Sequence, residues 1–387
     1  MKSYDAIVLG IGGVGSAALL SLARRGLRVL GIEQFDVGHA RGSSHGQTRI
    51  IRQAYFEHPN YVPLAQRSYE LWRALEQETG VQLLQQMGLV QVGPPDGEVI
   101  RGVLASAAEH RLAIEKLSPD EAMRLWPALE VPDDAAVVFE NQAGYLLVDA
   151  CVQAQAAAAR RAGAELRTNE TVVSWNVERG GDVVVQTDDG EYRAARLVIC
   201  PGAWAPQLLA DLGITFQVLR KPVFWYATDA PEYGASELPC FLFELTELNE
   251  AGQPAAQCEF YGFPAIDDLG VKVAEHTGGN VVRDPLAVAR ELQPADQARV
   301  EAFTTACLPE LGYRMHAHRV CMYTMSPDRH FIVDRHPRHA NVVFAAGLSG
   351  HGFKFTPVLG EALVDLAVDG ATKLPIGFLG LRRFANR

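Results

Sequence analysis

The sequence lacks features that several protein classes require. No apolar run reaches the roughly 20 residues of a membrane-spanning helix. Basic residues are outnumbered, because 35 Lys and Arg face 46 Asp and Glu and give a formal net charge of −11. Nucleic acids and anionic membranes attract basic surfaces, so neither is expected as a partner. Internal repeats and low-complexity tracts are also missing, which leaves an ordinary globular chain.

Clustered cysteines are missing too. The six cysteines of the 387-residue chain stand apart, without CxxC or other metal-like spacing. Free thiols in a cytoplasmic protein are therefore expected, and a zinc site is not. The apolar N-terminal run follows Asp5 and has no small-residue cleavage site, so we predict no signal peptide. A chain of this length is expected to form two domains.

A βαβ unit opens the sequence. "YDAIVLG" predicts a buried strand, "GIGGVGS" a tight turn, "AALLSLARRG" a helix that Gly26 ends, and "LRVLGIE" a second strand. Gly10, Gly12 and Gly15 have GxGxxG spacing, and Glu33 closes the second strand. In this context the glycines permit a turn, close approach of a pyrophosphate and helix–strand packing, while Glu33 accepts ribose hydroxyls. The motif predicts a dinucleotide site and does not separate NAD from FAD.

The remaining elements predict a mixed α/β (α+β) architecture. "YVPLAQRSYELWRALEQETG" and "VDACVQAQAAAARRAG" have helical periodicity, the latter with Asp149 as cap and Gly163 as stop. A β-meander follows, ending in "EYRAARLVICPG", and "FLFELTELNEAGQPAAQCEFYGFP" predicts a long hairpin. Near the end come the strand "NVVFAAG", the loop "LSGHGFK" and a helix. We assign residues 1–85, 145–220 and 320–387 to a nucleotide domain and residues 86–144 and 221–319 to a largely antiparallel domain.

Two loops carry candidate ligand-binding residues. In "GSSHGQTRIIRQAY", small residues let backbone pass a flat ring, and Arg49 and Arg52, three apart, would share one side of a helical turn. A solvated basic loop is the alternative. In "AAGLSGHGFKFTPVLGEAL", the glycines precede a helix, so amides and the helix dipole converge there, which suits the N1–C2=O edge of a flavin. Lys354 in this loop would meet a substrate carboxylate, or would be an ordinary surface lysine.

Three further residues are ambiguous by pattern alone. Lys272 alternates with valines, which is typical of the solvent-facing side of a strand. His276 is typical of a hydrogen-bonded core or surface histidine. Cys321 stands at the head of "CMYT", where a buried inert thiol is the usual case and a reactive thiol the alternative.

Taken together, these segments resemble the monomeric sarcosine oxidase and N-methyltryptophan oxidase family of D-amino-acid-oxidase-like flavoproteins. The likeness extends over nearly the whole chain, and its markers are "GSSHGQTRIIR", "YVPLAQRSYELW", "YGFP", "VKVAEH", "CMYT…FIVDRHP" and "GLSGHGFKF". It implies a glutathione-reductase-like FAD-binding Rossmann domain joined to an antiparallel-sheet substrate domain. It also implies that FAD is attached covalently through its 8α-methyl group to Cys321.

The resemblance gives roles to the candidate residues. Lys272 would stand at the flavin N5 edge and speed the reaction with oxygen, while Arg52 and Lys354 would bind the substrate carboxylate. Arg49 and His351 would lie beside the flavin. The substrate cavity would be lined by Tyr261, Tyr323 and His276. Cofactor contacts are expected from Gly10, Gly12, Gly15, Glu33, Ser43, Ser44, Thr48, Val172, Cys321, Gly347, Gly350, Gly352 and Lys354.

The implied reaction is oxidation of a secondary N-methyl amino acid by oxygen, giving the primary amino acid, formaldehyde and hydrogen peroxide. Sarcosine is the first expected substrate, and N-methyltryptophan or a cyclic imino acid such as pipecolate or proline is the alternative. The segment before "YGFP" is longer than the family's usual hairpin, which leaves the substrate open. The competing classes of protein are a flavin dehydrogenase that passes electrons to a partner, a subunit that only binds FAD, and an NAD-dependent dehydrogenase. We expect a cytoplasmic monomer without a metal.

Overall fold

The computed structural model describes residues 3–248, 254–312 and 314–385. The α-helices of this part are α1 (Gly13–Arg24), α2 (Val62–Thr79), α3 (Glu98–His110), α4 (Pro119–Leu125), α5 (Val148–Arg161), α6 (Ala205–Leu208), α7 (Pro294–Cys307) and α8 (Thr356–Val368). The first strands are β1 (Ser3–Tyr4), β2 (Ala6–Leu9), β3 (Val29–Ile32), β4 (Thr48–Ile51), β5 (Leu84–Gln86), β6 (Leu89–Gly93), β7 (Glu115–Leu117), β8 (Ala136–Glu140), β9 (Gly144–Leu147), β10 (Glu165–Arg167) and β11 (Val172–Val177). The others are β12 (Val183–Thr187), β13 (Glu191–Ala194), β14 (Leu197–Ile199), β15 (Gln217–Tyr226), β16 (Cys240–Leu248), β17 (Pro254–Phe263), β18 (Val271–Glu275), β19 (Asn280–Val281), β20 (Met315–Met325), β21 (Ile332–His336) and β22 (His339–Ala346).

A six-stranded sheet carries the nucleotide-binding motif. Its order is β10-β3-β2-β14-β22-β21, parallel except for the edge strand β21. All residues of β2 and β3 are buried because both faces of the sheet are covered. Val8 on one face packs with α1, α5 and α8, whereas Ile7 and Leu9 on the other pack with the small sheet β1-β13-β12-β11. The layered Rossmann arrangement expected from the opening βαβ unit is confirmed.

A nine-stranded sheet forms the second layer system. Its order is β19-β15-β18-β17-β16-β6-β8-β7, with β20 pairing to β15, and its pairs are antiparallel except β6 with β16. One face packs against α7, while the other packs against α3. The short sheet β4-β9-β5 lies between the two large sheets, since Ile51 belongs to the core of the first and Ile50 to the core of the second. The mixed α/β fold class is thereby confirmed, and the assignment of residue ranges to two domains stays a prediction.

Three local predictions are wrong. Asp149 does not cap α5, because the helix begins at Val148 and the Asp149 carboxylate instead accepts from the Gln47 N–H at 3.1 Å. "EYRAARLVICPG" is two strands rather than one, since the chain leaves the small sheet after β13 and enters the six-stranded sheet as β14. Arg49 lies on strand β4, not on a helical turn, and Arg52 follows the end of that strand.

Two predicted helices and the long hairpin are found where the sequence pattern placed them. α2 and α8 occupy the segments predicted as helices. The hairpin before "YGFP" is β16 and β17, and its turn falls outside the described residues. None of the helices that the structure describes combines the length and the apolar character that crossing a membrane requires.

Candidate active site

The glycine motif forms the floor of a cleft. A side chain at Gly10 (φ +80°) would overlap the Cys200 carbonyl oxygen, and one at Gly15 would overlap the Gly10 carbonyl oxygen. A Cβ at Gly12, by contrast, would meet only the Ser44 hydroxyl, at 3.5 Å. The N-cap of α1, Gly12, has no side chain to cap the helix, and the Gly13 N–H donates to Ser44 Oγ at 3.1 Å. The first residues of α1 line the cleft, as an anion site at a helix N-terminus requires.

Glu33 is buried at the end of β3 with its carboxylate held in place. Its Oε2 accepts from the Ile11 N–H at 2.8 Å and its Oε1 accepts from the Phe35 N–H at 3.2 Å, with His39 Nε2 3.3 Å from Oε1. A carboxylate has about four lone-pair sites, so Glu33 can still accept ribose hydroxyls beside these partners. The position therefore suits the role predicted for it.

The cleft has a volume of about 470 Å³ and runs from this motif to the second glycine loop. Ten of the thirteen predicted cofactor contacts line it: Gly10, Gly12, Gly15, Glu33, Ser43, Ser44, Val172, Gly347, Gly350 and Gly352. Arg49 and Tyr323 are also in its wall, whereas Thr48, Cys321 and Lys354 are not. A cradle with a dinucleotide motif at one end and glycine backbone at the other fits FAD. The residues present would hold its pyrophosphate at Gly12, its ribose at Glu33 and its flat ring near Gly350.

Cys321 lies beside the ring end of this cleft, on β20. It is buried, and its Sγ is 3.3 Å from Arg49 Nη2 and 3.9 Å from His45 Nδ1. Burial raises the pKa of this thiol, but His45, Arg49 and Lys272 outweigh burial and set the pKa at about 6. The other cysteines with a shifted pKa, among them Cys200 and Cys240, have it raised by burial. Cys321 is thus a thiolate at neutral pH, which inert core cysteines are not.

Lys272 is not on the solvent-facing side of a strand, as its pattern had suggested. Only 1% of the residue is exposed, and its Nζ donates to the carbonyl oxygens of Gly46 (2.6 Å) and Thr48 (2.8 Å). The pKa of Lys272 is lowered well below its ordinary value by burial and by the Arg49 charge. Arg49 Nη1 donates to the same Thr48 oxygen at 2.8 Å, so these two side chains and Cys321 meet around one turn of backbone.

A second, smaller cavity of about 50 Å³ adjoins the cleft, with which it shares Arg49, Tyr323, Gly350 and Phe353. All the residues predicted to bind or surround the substrate line it, as do the two predicted beside the flavin, whereas Lys272 does not; the lining residues are Arg49, Arg52, Tyr261, His276, Tyr323, His351 and Lys354. The prediction drew them from five separate strands and loops. The tertiary structure brings them to one place.

Two buried basic side chains of the small cavity are partnered differently. Arg52 is 3% exposed, and its Nη2 donates to Glu57 Oε2 at 2.7 Å. Lys354 is 6% exposed, which excludes the surface-lysine alternative, and its Nζ donates to the His351 carbonyl oxygen (2.9 Å) and to the Tyr55 hydroxyl (3.3 Å). Burial and the Arg52 charge lower the pKa of Lys354 to about 7.

Glu57 and Tyr55 were not foreseen. Burial raises the pKa of Glu57, but Arg52, His351 and Lys354 hold it at about 2, so the group is a carboxylate inside the cavity. Tyr55 OH is 2.7 Å from His351 Nδ1. Their only sequence signal is their nearness to Arg52, five and three residues away, in a segment with no regular periodicity.

The other polar side chains of the cavity are neutral. Burial lowers the pKa of His276 to about 3 and that of His351 to about 4, and raises the pKa of both Tyr261 and Tyr323. His276 Nδ1 is 3.2 Å from Tyr323 OH. Arg49 and Arg52, whose pKa values are raised, therefore supply positive charge to a pocket lined with aromatic rings.

A cleft for a flavin dinucleotide joined to a cation-lined small cavity defines an FAD-dependent oxidoreductase. The model of the family described as FAD dependent oxidoreductase matches residues 5–366, and the chain belongs to that family. It is 42% identical to the monomeric sarcosine oxidase of Streptomyces avermitilis over 99% of this chain and 98% of that protein. It is 36% identical to the N-methyl-L-tryptophan oxidase of Yersinia pestis over 98% of this chain and 99% of that protein. The family resemblance stated from the sequence is confirmed.

Solved structures show the same fold. NikD, described as an unusual amino acid oxidase essential for nikkomycin biosynthesis, superposes with a TM-score of 0.86 at 25% identity, covering 98% of both chains.

Proposed function

We propose that the protein oxidises a secondary N-methyl amino acid with oxygen, giving the primary amino acid, formaldehyde and hydrogen peroxide. Sarcosine is the first substrate to test, and N-methyltryptophan or a cyclic imino acid is the alternative. The observation that carries the proposal is the placement of two buried cations, Arg52 and Lys354, in a small cavity that opens onto the flavin cleft. Relatives named for sarcosine and N-methyl-L-tryptophan support the same substrate class.

The cations would clamp the substrate carboxylate. Arg52 offers a planar fork of donors, and Lys354 adds a donor from a distant part of the chain, so together they fix one carboxylate in a single orientation. Because Glu57 already pairs with Arg52, a substrate carboxylate would meet a guanidinium that is charged and desolvated. Arg49 and Arg52 would favour the unprotonated amine, since nearby cations lower an amine's pKa.

The chemistry comes from the cofactor: FAD, when bound, accepts two electrons and a hydrogen from the N-methyl carbon and passes the electrons to oxygen. The chain's part in the second half is Lys272. Its buried ammonium would stabilise the negative charge that develops on oxygen, and preorganised charge in a dry site is effective. Arg49 would lie beside the flavin ring, and His351 would face flavin and substrate.

Three further assignments belong to this proposal. FAD is attached covalently through its 8α-methyl group to Cys321, supported by the low pKa of that thiol. The chain is proposed to act as a monomer. The division into an FAD domain and a substrate domain is also proposed, supported by the presence of two large sheets, with the difference that β15 and β20 of the nine-stranded sheet cross the assigned boundaries.

Anaerobic mixing of the purified yellow protein with N-methylglycine, N-methylalanine, N-methyltryptophan and L-proline tests the substrate class. We expect the flavin absorbance to bleach with at least one N-methyl amino acid, and oxygen uptake then to match formaldehyde release. No bleaching by any of them would exclude the substrate class. Bleaching without oxygen uptake would indicate a dehydrogenase that passes electrons to a partner.

A further inference from the structure

One face of the nine-stranded sheet looks toward the small cavity, and its side chains form rows across β16, β17 and β18. Leu242, Tyr261 and Ala274 are paired in register and share one core cluster. The next row lies on the same face, two residues further along each strand. That row consists of Glu244, its register partner Glu259, and His276, whose N–H donates to the Glu259 carbonyl oxygen at 2.6 Å.

Glu259 is a buried carboxyl group without a partner. The residue is 6% exposed, and its Oε2 makes no hydrogen bond with any residue that the structure describes. The nearest basic group is His276 Nε2 at 4.0 Å, beyond hydrogen-bonding distance. Burial, with a contribution from the Glu57 charge, raises the pKa of Glu259 to about 8. The group is therefore mainly a neutral acid at neutral pH, and a cationic ligand beside it would favour the carboxylate.

The neighbouring acids Glu244 and Glu57 differ from Glu259 because each accepts at least one hydrogen bond, although Glu57 Oε1 also has no partner among the residues that the structure describes. Glu244 accepts from the N–H groups of Glu98 and Val99 at the start of α3 (2.9 and 2.8 Å). Glu57 is paired with Arg52. A buried carboxyl group with no donor is costly to keep, and an apolar residue at the same place would cost less. A donor that arrives with a ligand would remove this cost.

The small cavity is where such a donor would come from. Tyr261, two residues along the strand, and His276, directly across, both line that cavity, as does Glu57, whose charge acts on Glu259. His276 cannot supply the missing positive charge, because its own pKa of about 3 leaves it neutral. The cavity thus has Arg52 and Lys354 for a carboxylate, and Glu259 lies behind its His276 wall, outside the residues that line it.

We propose that Glu259, with His276 beside it, is a specificity-determining subsite that receives a hydrogen-bond-donating group, best of all a cationic one, on the substrate's side chain. The inference rests on the proposed function and names its substrate class: an N-methyl amino acid with a donor-bearing side chain. Sarcosine, which has no side chain, would react but would leave Glu259 without its partner.

Two isosteric substrates isolate this contact. The side chains of Nα-methyl-α,γ-diaminobutyrate and N-methylnorvaline differ only in a terminal ammonium or methyl group. Anaerobic stopped-flow reduction of the FAD-loaded protein gives Kd and the limiting reduction rate separately for each, with sarcosine as the reference. We expect the diamino compound to bind at least about tenfold more tightly than N-methylnorvaline, because a charge-assisted hydrogen bond replaces an unpaired acid.

Variants at Glu259 show whether that preference comes from this residue. Glu259→Leu should abolish or invert the preference through Kd, with sarcosine binding within about twofold of the parent, since it makes no side-chain contact. Glu259→Gln keeps the shape and should keep only a weak preference. The matched control is Glu275→Gln on the next strand, where the carboxylate bonds Arg299 instead, and it should retain the parent's preference.

The outcomes separate the two proposals. If sarcosine and N-methylnorvaline reduce the flavin but the parent does not prefer the diamino compound, the subsite is refuted and the proposed function stands. The same conclusion follows if Glu259→Leu keeps the parent's preference. If no N-methyl amino acid reduces the flavin, the proposed function fails and the subsite fails with it. FAD content and melting temperature, measured for each variant, show that it is folded.

Discussion

The rate of covalent flavin attachment is expected to report the ionisation of Cys321. The thiolate is the nucleophile, so the rate should follow its fraction. With a pKa of about 6 instead of the ordinary 9.0, the thiolate fraction at pH 7.5 is about 97% rather than about 3%, a roughly 30-fold difference. Half of the maximal rate should therefore be reached near pH 6, far below the value for a free cysteine.

The assay is reconstitution of flavin-free protein with FAD over a range of pH. Samples are precipitated with acid at intervals, and the yellow colour in the pellet measures attached flavin. Arg49→Gln removes the guanidinium 3.3 Å from the sulfur and should move the midpoint upward, with the largest loss of rate near pH 6. Cys321→Ser should bind FAD but release all of it into the supernatant.

Two results would refute this reasoning. Colour that stays in the pellet of Cys321→Ser would place the attachment elsewhere, and colour in the supernatant of the parent would make Cys321 an ordinary thiol. A parent midpoint near pH 9 would show that Arg49 and His45 do not activate the sulfur, even if attachment occurs there. Cys200→Ser is the matched control, since that thiol also borders the cleft but its pKa is raised by burial, and it should attach flavin as the parent does.

Three other perturbations have defined outcomes. Lys354→Ala should raise the substrate Kd about 10- to 100-fold with FAD content unchanged, because a charge-assisted hydrogen bond is lost; an unchanged Kd would remove Lys354 from the clamp. Lys272→Met keeps the buried stem and should slow flavin reoxidation by oxygen in stopped-flow experiments while leaving anaerobic reduction nearly intact; equal reoxidation rates would contradict its role. Glu57→Gln leaves Arg52 buried without a counter-charge and should lower the melting temperature, and a saturating carboxylate ligand should restore part of it. The pKa of Glu57 is depressed to about 2, so the stabilisation of the parent by this pair is complete above pH 4.5, the ordinary pKa, and disappears as the pH falls toward 2. The parent and Glu57→Gln should therefore have the same melting temperature near pH 2. A difference in melting temperature that persists there would indicate another cause.

Local patterns in the sequence were enough for the elements that depend on local physics. The apolar strand, the GxGxxG turn and the following helix are set by backbone sterics and by burial on two faces, and so the nucleotide motif was predicted in place. Gly10 and Gly15 illustrate this, since any side chain there would collide with backbone of the same motif or of the adjoining strand. The long family markers also identified the class of enzyme from the sequence.

Burial and charge pairing, by contrast, could not be obtained from spacing. Lys272 alternates with valines whether its side of the strand faces solvent or the interior. Only the packing of β4 and the preceding loop against that side shows that Lys272 is buried. The partner of Asp149 could not be predicted from spacing either. Its carboxylate accepts from the Gln47 N–H, which is 102 positions away in the sequence, and does not cap its own helix.

The sequence by itself therefore determined the fold class, the family, the dinucleotide motif and the set of candidate residues. Only the tertiary structure decided that Arg52 faces Glu57, that Cys321 lies between a guanidinium and an imidazole, and that Glu259 is buried without a partner among the residues the structure describes. The physical reason is that ionisation and hydrogen bonding depend on distances of a few ångströms between groups far apart in the chain. Those distances are fixed by how the two large sheets pack, and no local pattern encodes them.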